Sequence, residues 1–180
     1  VIAGYHWFEP WGRDTFISLP GLMLVTGRFA EARKVLLGFN KFCTLGLIPN
    51  FLSDLSQVPS CNTVDATMWH INAVLQYLKY TGDFKFVHEE LWEMLKEIVE
   101  NHIIGTSFGI RVDEDGLLMH GPRLTWMDAD VNGKAVTPRV GKAVEIQALW
   151  YNALRVAQLL ARKFGEDKLA ESYDMLADKT

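Results

Sequence analysis

The chain has 180 residues, 49% of them hydrophobic and 22% charged, with a net charge of −4. This describes a globular domain with a sizeable core and excludes a disordered segment. No Lys/Arg run is interleaved with aromatics and no apolar run is long enough to span a bilayer, so neither nucleic acid nor membrane is an expected partner.

The first informative stretch is "HWFEPWGRDTF" (residues 6–16), which sets Trp7, Trp11 and two phenylalanines beside Glu9, Arg13 and Asp14. Flat apolar rings mixed with groups that bind in pairs suit a pyranose, which has C–H faces and a rim of hydroxyls. Arg13 offers a fork of donors and Asp14 a pair of acceptors for vicinal hydroxyls. The plainer alternative is that Asp14 caps a helix while Arg13 pairs with Glu9.

Apolar spacing then predicts helices over 15–26, 29–43, 65–80, 84–104, 143–164 and 167–180. Phe29, Ala32, Leu36, Phe39 and Cys43 share one face, as do Phe84, Val87, Leu91, Leu95, Ile98 and His102. A third face joins Ile146, Leu149, Trp150, Ala153, Val156, Leu160 and Phe164. "VTGRFAEA", "YTGDFKFV" and "KFGEDKLA" each place a glycine between two such patterns, and Asp83 is a candidate N-cap. The six segments therefore pair into three helical hairpins, separated by long connections at 44–64 and 105–142. "DEDG" between short alternating runs predicts a small β-hairpin near 108–120. In such an array the tight turns gather at one end and the long loops, with every aromatic-and-acid cluster, at the other. Three hairpins form an arc, and six would close into an (α/α)6 barrel.

Further clusters lie at that loop end. In "NTVDATMWH" (62–70), Asn62 or Asp65 is a candidate cap and Trp69 a candidate core residue, a reading that spacing alone slightly favours over ligand contact. "RLTWMDADVNG" (123–133) sets Asp128 and Asp130 after Trp126. An indole and a second carboxylate both favour the protonated carboxyl that a general acid needs. The same letters resemble part of a calcium loop, but its closing glutamate is missing at the required spacing. Glu145 falls at the start of the fifth helix, where it suits the helix dipole and can reach a ligand; of Trp150 and Tyr151, deeper along, at least one belongs to the core. The histidines (6, 70, 88, 102, 120) form no ligand cluster, and His88 and His102 read as structural. Cys43 and Cys61 make no C-x-x-C pair. Neither a metal nor a cofactor is expected, and free thiols fit a reducing, cytoplasmic setting. Serine-hydrolase and phosphate-loop motifs are absent from the sequence.

"YHWFEPWGRDTFISLPGL" (5–22), "NTVDATMWH" (62–70) and "LTWMDADVNGKAVTPRVGKAVEIQALWYNAL" (124–154) together resemble the C-terminal glucosidase domain of glycogen debranching enzymes, the amylo-α-1,6-glucosidase type. The resemblance covers essentially the whole chain. It implies an all-α fold, the (α/α)6 toroid, with about half of it present here as residues 1–180 of one glycoside hydrolase domain. It also implies inverting hydrolysis of the α-1,6-linked glucose stubs of glycogen or limit dextrin. Asp128 then matches the general acid, and Arg13 and Asp14 the pair that holds the terminal glucose; Asp65, Trp126 and Glu145 fall in motifs bordering the pocket. Members of this type often carry Lys where this chain has Asp130, and "PVEIN" where it reads "AVEIQ", with Ala143 and Gln147.

Val1 in place of a methionine, and a last helical pattern that runs on without a cap, read as cut ends, so the remainder of the polypeptide is an expected partner. No motif for the general base precedes Thr180, and Glu9 and Asp54 are the only in-chain substitutes on that face. Half a barrel would leave apolar faces uncovered, which predicts self-association of the chain alone. Competing expectations are an exo-α-1,4-glucosidase, a non-catalytic glucan-binding toroid, and a helical scaffold.

Overall fold

The computed structural model describes residue 6 and residues 9–52 and 59–180. Trp7 and Asp54 lie outside the described residues. Helix α1 (Gly12–Leu19) runs into a π-helical turn over Pro20–Leu24, and α2 (Phe29–Asn40) returns beside it. The second pair is α3 (Asp65–Thr81) with α4 (Phe84–Phe86), which passes through a π turn (Val87–Leu91) into α5 (Trp92–Ile104). The third is α6 (Val144–Lys163) with α7 (Asp167–Lys179). The three glycine turns form where the sequence places them: Gly27, Gly82 and Gly165 take φ of +72°, +64° and +83°, a region that costs glycine little.

The expected periodic faces are the core faces. Ala32, Leu36 and Phe39 of α2 are buried, as are Leu95, Ile98 and His102 of α5 and Ile146, Trp150, Ala153, Val156 and Leu160 of α6. Phe29, Cys43, Phe84, Leu149 and Phe164 pack against that core while partly exposed. Asp83 caps the second hairpin's return as expected, its Oδ1 accepting from Phe86 N at 3.1 Å.

Two helical segments differ from the periodic reading, for local reasons. The first starts at Gly12, ahead of the expected 15, because that glycine docks on the chain far downstream. Gly12 N donates to Asn50 O at 2.8 Å, and a Cβ there would meet Pro49 O at 2.3 Å. The π turn follows from Pro20, which has no N–H to give the α ladder; Val25 N instead reaches back five residues to Pro20 O at 3.0 Å. The helix expected over 84–104 is likewise interrupted by the π turn at Val87–Leu91.

The expected β-hairpin is present: β1 (Arg111–Val112) pairs antiparallel with β2 (Leu118–Met119). Gln147 of α6 clasps it, accepting from Leu118 N and donating to Leu118 O, each at 2.8 Å. The Gln of "AVEIQ" therefore ties the hairpin to α6. A second hairpin, β3 (Asp130–Val131) with β4 (Lys134–Ala135), turns on Asn132 and Gly133. Their φ values of +54° and +77° are the left-handed pair that Asn-Gly adopts readily. That dipeptide is the sequence signal for this hairpin; the run belongs to a β-turn and not to a calcium loop.

Helices α1, α3 and α6 pack side by side; the opening motif precedes α1, and the two long connections precede α3 and α6. The loop end of the array is thus also the N-terminal end of three adjacent helices. Among the described residues no helix is long and apolar enough to cross a membrane.

Candidate active site

Arg13 lies in the first turn of α1 and is held in place by residues fifty positions away. Its Nε donates to Asp65 Oδ2 at 2.7 Å and its Nη2 to Asp65 Oδ1 at 2.9 Å, a two-pronged pair. Thr63 Oγ1 donates to Asp65 Oδ1 at 2.6 Å. Asp65 is neither exposed nor a cap: it is the first residue of α3, is buried, and follows Val64 as N-cap. The capping reading of Asn62 or Asp65 gives way because the carboxylate has a stronger partner in Arg13. Asp14 also sits inside the first turn, after Trp11 as N-cap, and is half-buried. The Arg13–Glu9 pairing considered from sequence yields to the Arg13–Asp65 pair.

Asp128 stands on the other side of the same guanidinium, its Oδ2 3.7 Å from Arg13 Nη1. Its side chain is 45% exposed, so the enclosure by an indole expected from "TWMD" is not what surrounds it. Among the described residues, the cation within ion-pairing distance of its carboxylate is Arg13. Asp130, two residues on, is ion-paired with Arg123, which also donates to Asp128 O at 3.3 Å. The extra negative charge at Asp130 is thereby balanced in place.

Trp126 is 55% exposed and carries the Arg139 guanidinium 5.7 Å from its ring centre. Arg139 also pairs with Glu145. Burial, the largest single influence on the Glu145 carboxyl, raises its pKa. Its own backbone N–H, Arg139 and the Trp126 indole outweigh that and leave it below the ordinary glutamate value. Arg139 is a site residue that sequence reasoning missed, since it lies in an aperiodic loop where nothing marks its partner.

These side chains border two neighbouring cavities. The first, about 490 Å³, has Arg13, Asp65 and Glu145 on its polar side and Trp69 and Trp126 among its walls, with Ile17 and Leu149 below. Trp69, which spacing alone slightly favoured as core, therefore faces this cavity. The second, about 400 Å³, is lined by Trp11, Phe51, Asn50, Ser60, Asn62, Arg123 and Asp128. The structure thus brings Arg13, Asp65, Trp69, Trp126 and Glu145 around one space and Trp11 and Asp128 around the next. Asp14 lines neither. Among the described residues, no three His, Cys, Asp or Glu side chains cluster as a metal site.

The architecture is shared with a solved glycosidase. The rhamnosidase from Klebsiella oxytoca with rhamnose bound superposes with a TM-score of 0.63 over 94% of this chain and 31% of its own, at 19% identity, a likeness of fold. The class is therefore a helical-hairpin array of the kind that enzyme carries. The sequence narrows it: the amylo-alpha-1,6-glucosidase family model matches residues 1–180, and the chain belongs to that family. The glycogen debranching enzyme of Saccharomyces cerevisiae is 32% identical over an alignment covering 88% of this chain. The chain spans 14% of that enzyme's length.

Proposed function

We propose that this chain supplies the acid side of an inverting glucosidase site that releases glucose from the α-1,6 branch stubs of glycogen or limit dextrin. The observation that carries the reading is the placement of Asp128 where two neighbouring cavities walled by indoles and hydrogen-bonding groups meet. Aromatic faces with a few fixed polar groups are what a sugar ring needs.

In this reading Asp128 gives its proton to the glycosidic oxygen as the bond to the anomeric carbon breaks. Water attacks that carbon from the opposite face and loses its proton to a second carboxylate, which inverting enzymes hold about 6.5–9.5 Å from the first. That base comes from further polypeptide, which would also cover the apolar positions exposed by α1, the π turn after it and α6, Ile17, Leu22 and Val144 among them. Arg13 holds the terminal glucose, while Trp69, Trp126 and Glu145 line its pocket. Asp65 serves by fixing the Arg13 fork.

The test is glucose release from limit dextrin carrying single α-1,6 glucose stubs, by the full-length protein and its Asp128→Asn variant. The reading expects a fall of roughly a thousandfold or more, general acid catalysis plus the loss of a proton that the leaving sugar requires. Equal rates would remove Asp128 from the chemistry, and no release by the parent would remove the linkage.

A further inference from the structure

The second cavity has a composition of its own. Trp11 and Phe51 meet with ring centres 5.0 Å apart at 52°, giving an apolar wall at the end of the short Trp11–Phe51 and Phe51–Ser60 bridges. Asn50 Oδ1 accepts from Arg13 N at 3.2 Å, and Asn62 Oδ1 accepts from Ser60 Oγ at 2.6 Å. With both amide oxygens already engaged, what the two asparagines chiefly offer a ligand is N–H donors. Arg123 adds a cation, anchored by Asp130 and the Asp128 carbonyl and held at a left-handed φ of +63°. An aromatic wall with a donor-rich rim fits a pyranose whose hydroxyl oxygens accept.

Its position relative to Asp128 gives it a role. A general acid must reach the oxygen that joins two sugars, so one sugar lies on each side of it. Asp128 lines the second cavity, while its carboxylate stands 3.7 Å from Arg13, which lines the first. We propose that the second cavity, built by Trp11, Phe51, Asn50, Asn62 and Arg123, is the leaving-side subsite. It takes the glucosyl unit of the parent chain to which the terminal glucose is attached. The inference rests on the reading of Asp128 and Arg13 given above. It makes Asn50, Phe51 and Asn62, with Trp11 and Arg123, the residues that sense what the terminal glucose is linked to.

α-Glucosyl fluoride separates the two sides. It fills only the terminal-glucose side, and fluoride departs without a sugar subsite and with little need of a proton donor. The measurement is kcat/KM of the full-length protein for α-1,6-stubbed limit dextrin and for α-glucosyl fluoride, in the parent and in Asn62→Ala, Phe51→Ala and Asp128→Asn. Asn62 is exposed at the rim, so its truncation leaves the fold intact even if that of Phe51 does not. The expected result is a drop of at least tenfold in the dextrin-to-fluoride ratio for Asn62→Ala, and a larger one for Phe51→Ala. Equal losses on both substrates would place the second cavity on the terminal-glucose side or in the fold. No change on either would show that no sugar occupies it. Asp128→Asn judges the underlying reading separately: it should lose dextrin turnover and keep that of the fluoride, and unaltered dextrin turnover would defeat the acid assignment whatever Asn62 does.

Discussion

The two ends of the helical array carry the same three kinds of side chain in different settings. At the tight-turn end, Trp92 donates its indole N–H to Glu166 at 2.6 Å, and Lys96 sits 3.3 Å from the same carboxylate and 5.5 Å from the indole ring centre. At the loop end, Trp126, Glu145 and Arg139 repeat the combination of indole, carboxylate and cation. The difference is water: Trp92 is 1% exposed and Trp126 is 55% exposed. With its indole buried, the first trio joins α5 to the turn before α7 and holds the fold. With its indole exposed beside a cavity, the second offers a ring face and hydrogen-bonding groups to a ligand. Residue types alone therefore do not mark a site; the helix end on which they fall does.

The sharpest way to break this comparison is to truncate both indoles. Trp92→Ala should cost about 3–5 kcal/mol of stability, the usual penalty for removing a fully buried tryptophan. Trp126→Ala should stay within about 1 kcal/mol, since more than half of the residue's surface remains in water. Urea unfolding followed by circular dichroism checks both, and equal losses would erase the distinction.

A comparably large effect is expected at the base of the site. Asp65→Ala strips the two-pronged partner from Arg13, whose side chain is only 13% exposed. Breaking such a pair costs about 3–5 kcal/mol, and the Asp128 carboxylate on the other flank reduces that figure. Sugar affinity should fall with it, because the Arg13 fork loses its orientation. An Asp65→Ala protein of parental stability and affinity would show the pair to be incidental.

A smaller effect comes from the core. His70 and His102 are both fully buried, and burial pushes each imidazole pKa from 6.5 down to about 4. The unfolded chain therefore binds protons that the folded one refuses, and this contribution is fully present above pH 6.5. It declines as pH falls from there toward 4, by on the order of 2–3 kcal/mol per histidine. Stability measured across that window should fall less steeply in His102→Gln; an unchanged slope would mean that other groups set the acid limb.

Much of the scaffold was legible because helical periodicity is a local signal. The face running from Phe84 to His102 and the glycines at 27, 82 and 165 give the hairpins directly, and Asp83 gives the cap. The π turns were not legible in that way, since a period of 3.6 is blind to one extra residue, although Pro20 marks the first. Asn132-Gly133 is the local signal for the second hairpin, although the neighbouring Asp128 and Asp130 also resemble part of a calcium loop. In the site, the residue types were visible but the partnerships were not. Asp65 and Thr63 reach Arg13 across half a hundred residues, and Gln147 clasps Leu118 across the base of a loop. The surroundings of Asp128 are not legible either, because Trp126, two residues away in sequence, does not enclose it, while Arg13, far away in sequence, stands 3.7 Å from its carboxylate.

The account's central claim is that the exposed indole of Trp126 meets the sugar and the buried indole of Trp92 does not. Tryptophan fluorescence titrated with isomaltose, in the full-length protein and in Trp126→Phe and Trp92→Phe, tests it most directly. The account predicts a saturable emission change in the parent, with an affinity kept in Trp92→Phe and weakened in Trp126→Phe. Parental affinity in Trp126→Phe, or a loss confined to Trp92→Phe, would contradict it.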